Sequence, residues 1–215
     1  RILDKSKIKD SIVCVTGAAG SIGSELCRQI IKLKPKELII IDNSEHKLFE
    51  VKNKLEKTNG IQFIFLLGDV TRKSFVKKIF EENKIDIIFH AAAYKHVPLV
   101  EDNFMQAIRN NVFSTKSICE AAIESELSNV VLISTDKAVR PSNIMGTSKR
   151  LAELIFQAFA EKYNFVENSF KRKIYPKFSI VRFGNVLNSS GSVVPLFKKQ
   201  IVLIGQIKHP LIMKF

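Results

Sequence analysis

The feature that most constrains this chain is a short apolar run that ends in a cluster of glycines. Ser11 to Thr16 is rich in β-branched residues and does not alternate with polar ones, so it reads as a strand buried on both faces. It runs straight into Gly17-Ala18-Ala19-Gly20-Ser21-Ile22-Gly23, and Ser21 to Leu33 then carries Ile22, Leu26, Ile30 and Leu33 at helical spacing. A strand, a glycine turn and a helix in that order suit a parallel sheet with helices packed on it.

The rest of the chain repeats the alternation. Strands are expected at 37–41, 61–67, 85–90, 129–134 and 178–183. Helices are expected at 44–57, 73–82, 103–125 and 146–163, the last with Leu151, Leu154, Ile155 and Ala158 inward. Right-handed crossovers then give an α/β, doubly wound, Rossmann-type parallel sheet, with its binding crevice at the carboxyl ends of the strands. Residues 1–10 read as a linker and 11–201 as the core, with 202–215 opening a further lobe. The chain begins with Arg1 and ends at Phe215 without a closing element, so it reads as a piece of a longer protein.

The glycine turn predicts a phosphate cradle. Gly17 permits the tight turn, Gly20 lets backbone approach a pyrophosphate, and Gly23 lets helix and sheet pack closely. Ser21 and Ile22 open the helix whose positive end faces the phosphates. Asp42 ends the second strand and can accept from adenosine ribose hydroxyls; its charge repels a 2′-phosphate, which favours NAD over NADP. A helix cap is the plainer role for Asp42. Asp69 and Val70 follow the third strand, where they can meet the adenine edge. After the fourth strand, Ala91, Ala92 and Ala93 let the chain pass beneath a dinucleotide, and Lys95 and His96 emerge on the substrate side. Asn111 sits in the long helix as a kink or water-binding residue, and Asn110 reads as surface. The fifth strand delivers Ser134, Thr135, Asp136 and Lys137 to the same crevice, and Lys149 on the next helix can reach the nicotinamide ribose.

Composition narrows the partners. The formal charge is +13, from 34 Lys+Arg against 21 Asp+Glu, which raises the local concentration of anions. Nucleic acid, anionic lipid and nucleotide substrates all qualify, but no zinc-finger or RNA-binding signature favours nucleic acid. Lys171-Arg172-Lys173 is the one compact basic run and reads as a solvated loop. Cys14, Cys27 and Cys119 are odd in number and widely spaced, against a disulfide framework or metal site. No apolar run approaches the roughly 20 residues needed to span a bilayer.

Four motifs in order resemble one family. They are Gly17 to Leu26, His90-Ala91-Ala92-Ala93-Tyr94-Lys95-His96-Val97-Pro98, Ser134-Thr135-Asp136-Lys137-Ala138-Val139-Arg140-Pro141, and Arg182-Phe183-Gly184-Asn185-Val186-Leu187. Together they are similar to the polysaccharide-biosynthesis branch of the extended short-chain dehydrogenases/reductases, and most like its large, membrane-anchored UDP-N-acetylglucosamine 4,6-dehydratases. That resemblance implies a redox-neutral lyase that uses NAD+ catalytically on a UDP-sugar. By position, Lys137 is the base at sugar carbon 5, and Asp136 is the acid for the departing hydroxyl, with a pKa raised by burial. Thr135 binds the 4-hydroxyl, Lys149 orients the nicotinamide ribose, and Lys95, His96 and Asn185 contact substrate. Other short-chain dehydrogenases place a tyrosine where Met145 stands, four residues before the lysine; methionine is usual in this branch. Ser114 stands where the branch usually has glycine, and Asn188 and Ser190 replace a usual glycine and arginine.

The expected full protein is a homo-oligomer held at the cytoplasmic face of the inner membrane by an upstream anchor. A UDP-sugar epimerase is the nearest rival enzyme, and a non-catalytic dinucleotide-binding domain is the alternative of another class.

Overall fold

The computed structural model describes residues 5–58, 60–125, 127–164, 175–184 and 186. Six parallel strands form one sheet: β1 (Ile12–Thr16), β2 (Glu37–Asp42), β3 (Gln62–Leu67), β4 (Ile87–His90), β5 (Asn129–Thr135) and β6 (Lys177–Phe183). Their order is β3-β2-β1-β4-β5-β6. The order reverses between β1 and β4, where Val13 pairs with Ile87 and Thr16 with His90. This is the expected doubly wound arrangement, and its switch point opens a crevice beyond the strands' carboxyl ends.

Burial follows position in the sheet. The central strands β1, β2, β4 and β5 are buried almost throughout, whereas the edge strands β3 and β6 are half-buried. Helices α1 (Ser21–Ile31) and α2 (Glu45–Leu55) cover one face, packing Cys27, Ile30, Leu48 and Val51 onto Val13, Val15, Leu38 and Ile40. Helices α3 (Lys73–Asn83), α6 (Ser114–Glu124) and α7 (Ile144–Asn164) cover the other, with Val76, Ile79, Ile118 and Phe156 over Cys14, Ile39, Ile88 and Leu132. Alternate residues of β1 thus serve opposite cores, which is why the strand carries no polar face.

Two expectations need correction. The stretch 103–125 is not one helix. Helix α4 (Val97–Asp102) precedes it, Asn103 breaks the backbone, and α5 (Phe104–Ile108) passes through a π-helical turn (Arg109–Phe113) into α6. The inward face of α7 also differs. Leu151, Leu154 and Ala158 are exposed, while Ser148, Lys149, Ala152, Glu153 and Phe156 are buried. The helix turns a partly polar face inward because that face supplies Lys149 and Glu153 to β5 and β6. Lys171-Arg172-Lys173, Asn185, Asn188, Ser190 and the boundary after residue 201 lie outside the described residues.

Candidate active site

The glycine turn seats β1 against β4. Gly17 has φ +63°, and a Cβ there would lie 2.5 Å from Ala92 Cα. Only glycine tolerates both the left-handed backbone and that approach. A Cβ on Gly23 would lie 2.1 Å from the Gly17 carbonyl oxygen, so α1 starts directly on the turn. Gly20 is the N-cap of α1, and no side chain caps that helix. The positive end of α1 therefore faces the crevice with its backbone donors uncapped by side chains.

Around this turn is a cavity of about 180 Å³ lined by residues from four strand ends, among them Gly17, Gly20, Asp42, Asp69, Val70 and Ala91 to Ala93. Asp42 is buried. Its Oδ2 accepts from Ala19 N (2.9 Å) and its Oδ1 from Ser44 N (3.0 Å), so it ties the glycine turn to the start of α2. Asp42 does not cap α2, whose N-cap residue is Ser44 with no side-chain cap; it stands at the cavity wall and ties two loops together. Asp69 Oδ1 accepts from Thr71 N at 2.8 Å. Asn43, Lys47, Tyr94 and Asn110 also line the cavity and were missed from sequence. Lys47 sits one turn into the helix that follows Asp42; that offset was the available signal. Lys95 is exposed, yet the protein around its ammonium and the charge of Lys47 pull its pKa down. His96 is the exposed N-cap residue of α4.

Asn111 sits at the irregular turn of its helix, as expected, whereas Asn110, expected at the surface, is half-buried at the cavity wall. Asn111 is buried in the π-helical turn, accepts from Tyr94 N (2.7 Å) and donates to Tyr94 O (3.1 Å) and Ser148 Oγ (2.9 Å). Its amide is occupied in clamping the β4 loop to α7, and it shapes the cavity through Tyr94.

At the end of β5, Thr135 Oγ1 donates to Asp136 Oδ1 at 2.9 Å, and Lys137 Nζ donates to the same oxygen at 3.2 Å. Asp136 is exposed, so the expected burial is absent. The Thr135 hydroxyl and the Lys137 ammonium instead hold its carboxyl below the usual carboxylate range. A Cβ on Gly146 would lie 2.6 Å from the Lys137 carbonyl oxygen, which shows how tightly α7 begins against this loop.

Behind the loop, Lys149 is buried and donates to the Ile133 carbonyl at 2.8 Å; burial lowers its pKa to about 8. It is latched to β5 and absent from the cavity wall. Met145 is buried too, packed with Val100 and Ala107, so it serves α4, α5 and α7 as an apolar filler. His90 is buried between Thr16 Oγ1 (2.7 Å) and Ser114 Oγ (3.2 Å), and burial holds its pKa near 3, so it stays neutral. Ser114, where glycine was expected, thus supplies a hydrogen bond in the core.

Among the described residues, no group of three or more His, Cys, Asp or Glu side chains is placed to hold a metal ion. Nor is any helix there long and apolar enough to cross a membrane.

Known proteins match this arrangement. Over 208 residues the chain is 45% identical to the capsular polysaccharide biosynthesis protein CapD of Staphylococcus aureus, a match covering 95% of this chain and 33% of that protein. It is 33% identical over 190 residues to a UDP-N-acetylglucosamine 4,6-dehydratase (inverting) of Campylobacter jejuni, covering 88% of this chain and 53% of that one. It is 35% identical over 197 residues to a UDP-glucose 4-epimerase of Rickettsia canadensis, covering 89% and 54%. The chain thus spans a third to about half the length of these relatives. Residues 13–215 match the family described as polysaccharide biosynthesis protein. With the glycine turn, the switch-point crevice and the Thr135–Lys137 edge all present, the chain belongs to that family, a branch of the extended short-chain dehydrogenases/reductases.

Proposed function

We propose that this chain is the NAD-binding catalytic core of a nucleotide-sugar 4,6-dehydratase, acting on UDP-N-acetylglucosamine or a close relative in surface polysaccharide or glycan synthesis. The observation that carries this reading is the adjacent carboxylate and ammonium of Asp136 and Lys137, at the sheet edge where the glycine turn opens. Loss of water needs an acid for the leaving hydroxyl as well as a base; epimerisation at carbon 4 needs no such acid.

The residues present fit a dinucleotide. The bare backbone of Gly17 and Ala92, together with the uncapped start of α1, suits a pyrophosphate. Asp42 uses two of a carboxylate's roughly four acceptor sites on backbone donors, and can still meet ribose hydroxyls. Its charge at the cavity wall disfavours a 2′-phosphate, hence NAD. When bound, NAD+ would supply reversible hydride exchange with the sugar, at carbon 4 and then carbon 6.

The chain's own groups manage the protons. Thr135 holds the 4-hydroxyl. The proton released as the 4-hydroxyl is oxidised goes to the Asp136–Lys137 pair. Lys137 takes the proton from carbon 5 and returns one there once hydride has reached carbon 6, and Asp136 gives one to the 6-hydroxyl, which leaves as water. In the uncovered site the hydrogen bonds from Thr135 and Lys137 favour the ionised form of Asp136. The 3.2 Å contact between Lys137 and Asp136 is a path for a proton between them. A sugar lying over the pair strips water from the Asp136 carboxylate and favours its protonated form, the donor that loss of water needs. Lys149 is assigned the nicotinamide ribose, and Lys95 and His96 the substrate.

The exposed Leu151 and Leu154 on α7, with Leu99 and Met105 exposed on α4 and α5, support a homo-oligomer packed through these helices. We place the cofactor core at 11–201, with the sugar-binding lobe starting at 202 and a membrane anchor upstream.

The test is to give the full-length protein UDP-N-acetylglucosamine and identify the product by mass. A 4-keto-6-deoxy sugar, lighter by one water, is expected. An inverted sugar of unchanged mass would establish the epimerase reading, which the Rickettsia relative motivates. Asp136→Asn and Lys137→Ala should each abolish dehydration, lowering the rate by roughly 10²-fold or more, while NAD binding stays nearly intact. Ordinary turnover in either variant overturns the roles assigned to this pair.

A further inference from the structure

The surplus charge of +13 is spread along the sequence, but the fold gathers part of it. In a parallel sheet every strand starts at the same edge, so every helix-to-strand connection lies there, opposite the edge that carries Gly17 and Asp136. Lys7 and Lys9 precede β1. Lys32, Lys34 and Lys36 occupy the connection from α1 to β2. Lys57 and Lys84 lie in the next two connections, and Lys177 opens β6. All of these lysines are exposed.

Little opposes them. The exposed carboxylates of the same connections are Asp10, Glu56 and Asp86 among the described residues. Glu56 is paired with Lys52, and Asp86 accepts from Ile12 N. The helix flanks behave differently: Lys52 pairs with Glu56, Lys78 with Glu82, and Lys116 with Glu120. No ion pair to a described residue joins any of the edge lysines. A shallow hollow on this edge is lined by Lys7, Lys9 and Lys177, with Asp10 and Asp86 also in its wall, beside Ser11, Ser128, Asn129 and Tyr175.

The chemistry of the edge points to its partner. The described connections contain no arginine, and Tyr175 is their one aromatic residue. Nucleic-acid faces use arginine forks on phosphate and aromatic rings under bases. Compact ammonium charges on long flexible stems, distributed over a whole edge, suit a fluid layer of phosphate headgroups. We infer that the strand-start edge docks this chain onto a bilayer containing anionic phospholipid. The catalytic edge then faces away from the bilayer, toward the aqueous phase that holds nucleotide sugars.

Co-sedimentation of the 215-residue chain with vesicles tests this. Vesicles of phosphatidylcholine with phosphatidylglycerol should capture the chain at low salt and release it as salt rises; pure phosphatidylcholine should not capture it. The double variants Lys7→Gln/Lys9→Gln and Lys32→Gln/Lys36→Gln should each weaken partitioning by roughly tenfold or more. A control, Lys73→Gln/Lys116→Gln, removes the same charge from the starts of α3 and α6 and should stay within about twofold of the parent. Circular dichroism and thermal unfolding verify that every variant is folded. Absence of capture by anionic vesicles overturns the proposal. So does an equal loss in the control, which would make net charge the cause, or tighter binding to duplex DNA than to the vesicles.

Discussion

At single residues, the decisive constraint is steric. Gly17 combines a left-handed backbone with an approach to Ala92 that leaves no room for a methyl group. Gly17→Ala should lower the unfolding free energy by about 2 kcal/mol or more, from the left-handed penalty plus the clash. It should weaken NAD binding at least tenfold, because the turn must move away from β4. Thermal unfolding and a fluorescence titration with NAD check the two effects separately; an unchanged NAD affinity would detach this turn from the cofactor. Gly17 was legible in sequence because a glycine between strand and helix has few other uses. The protonation state of Asp136 was not. Burial depends on what lies over a side chain, and neighbours in sequence do not report that. Thr135 and Lys137 could be read as neighbours of Asp136, but not as donors converging on one of its oxygens.

Among the elements, the contact between α7 and β6 carries the largest electrostatic stake. Glu153 is fully buried; Arg182 donates to it through two nitrogens (2.9 and 2.7 Å), and Arg150 adds a third contact at 3.2 Å. Burial is the largest single influence and raises the Glu153 pKa, but the hydrogen bonds it accepts, led by Arg182 and joined by Arg150, together hold the carboxyl below its ordinary value. Arg182→Met should therefore cost roughly 3 kcal/mol near neutral pH, the low end for breaking a buried pair because Arg150 remains. A folded-state pKa below the unfolded one gives stability that is present above the unfolded value of about 4.5 and lost as pH falls through the folded value. The gap between variant and parent should accordingly narrow in acid, which denaturant unfolding at several pH values would record; a gap independent of pH would remove the ion pair as its cause. Strands buried on both faces were legible from unbroken apolar runs. The inward side of α7 was not, because Leu151 and Leu154 outrank Ser148 and Glu153 in hydropathy yet point outward. The break at Asn103 and the π-helical turn were hidden for a similar reason. Asn111 bonds across to Tyr94, a partner that helical periodicity does not contain.

For the whole molecule, the exposed leucines of α7 predict assembly. The chain should sediment as a dimer or larger at micromolar concentration, and Leu151→Glu/Leu154→Glu should convert it to monomer without loss of helical content. Analytical ultracentrifugation decides this, and a parent chain that is monomeric at every concentration refutes it. Overall architecture was legible because parallel topology follows from the alternation of runs. The gathering of lysines along one rim was not, since residues as far apart as Lys9 and Lys177 meet only once the sheet is ordered.

The fit of the β1 turn against the β4 backbone has a consequence for how this molecule can change over time. The turn belongs to the half of the chain that builds β1 to β3, and the surface it rests on belongs to the half that builds β4 to β6. A replacement for the first half must keep a glycine at this turn, and one for the second must keep its backbone where only a glycine can meet it. Descendants of this chain must therefore alter both partners in step, or leave both as they are.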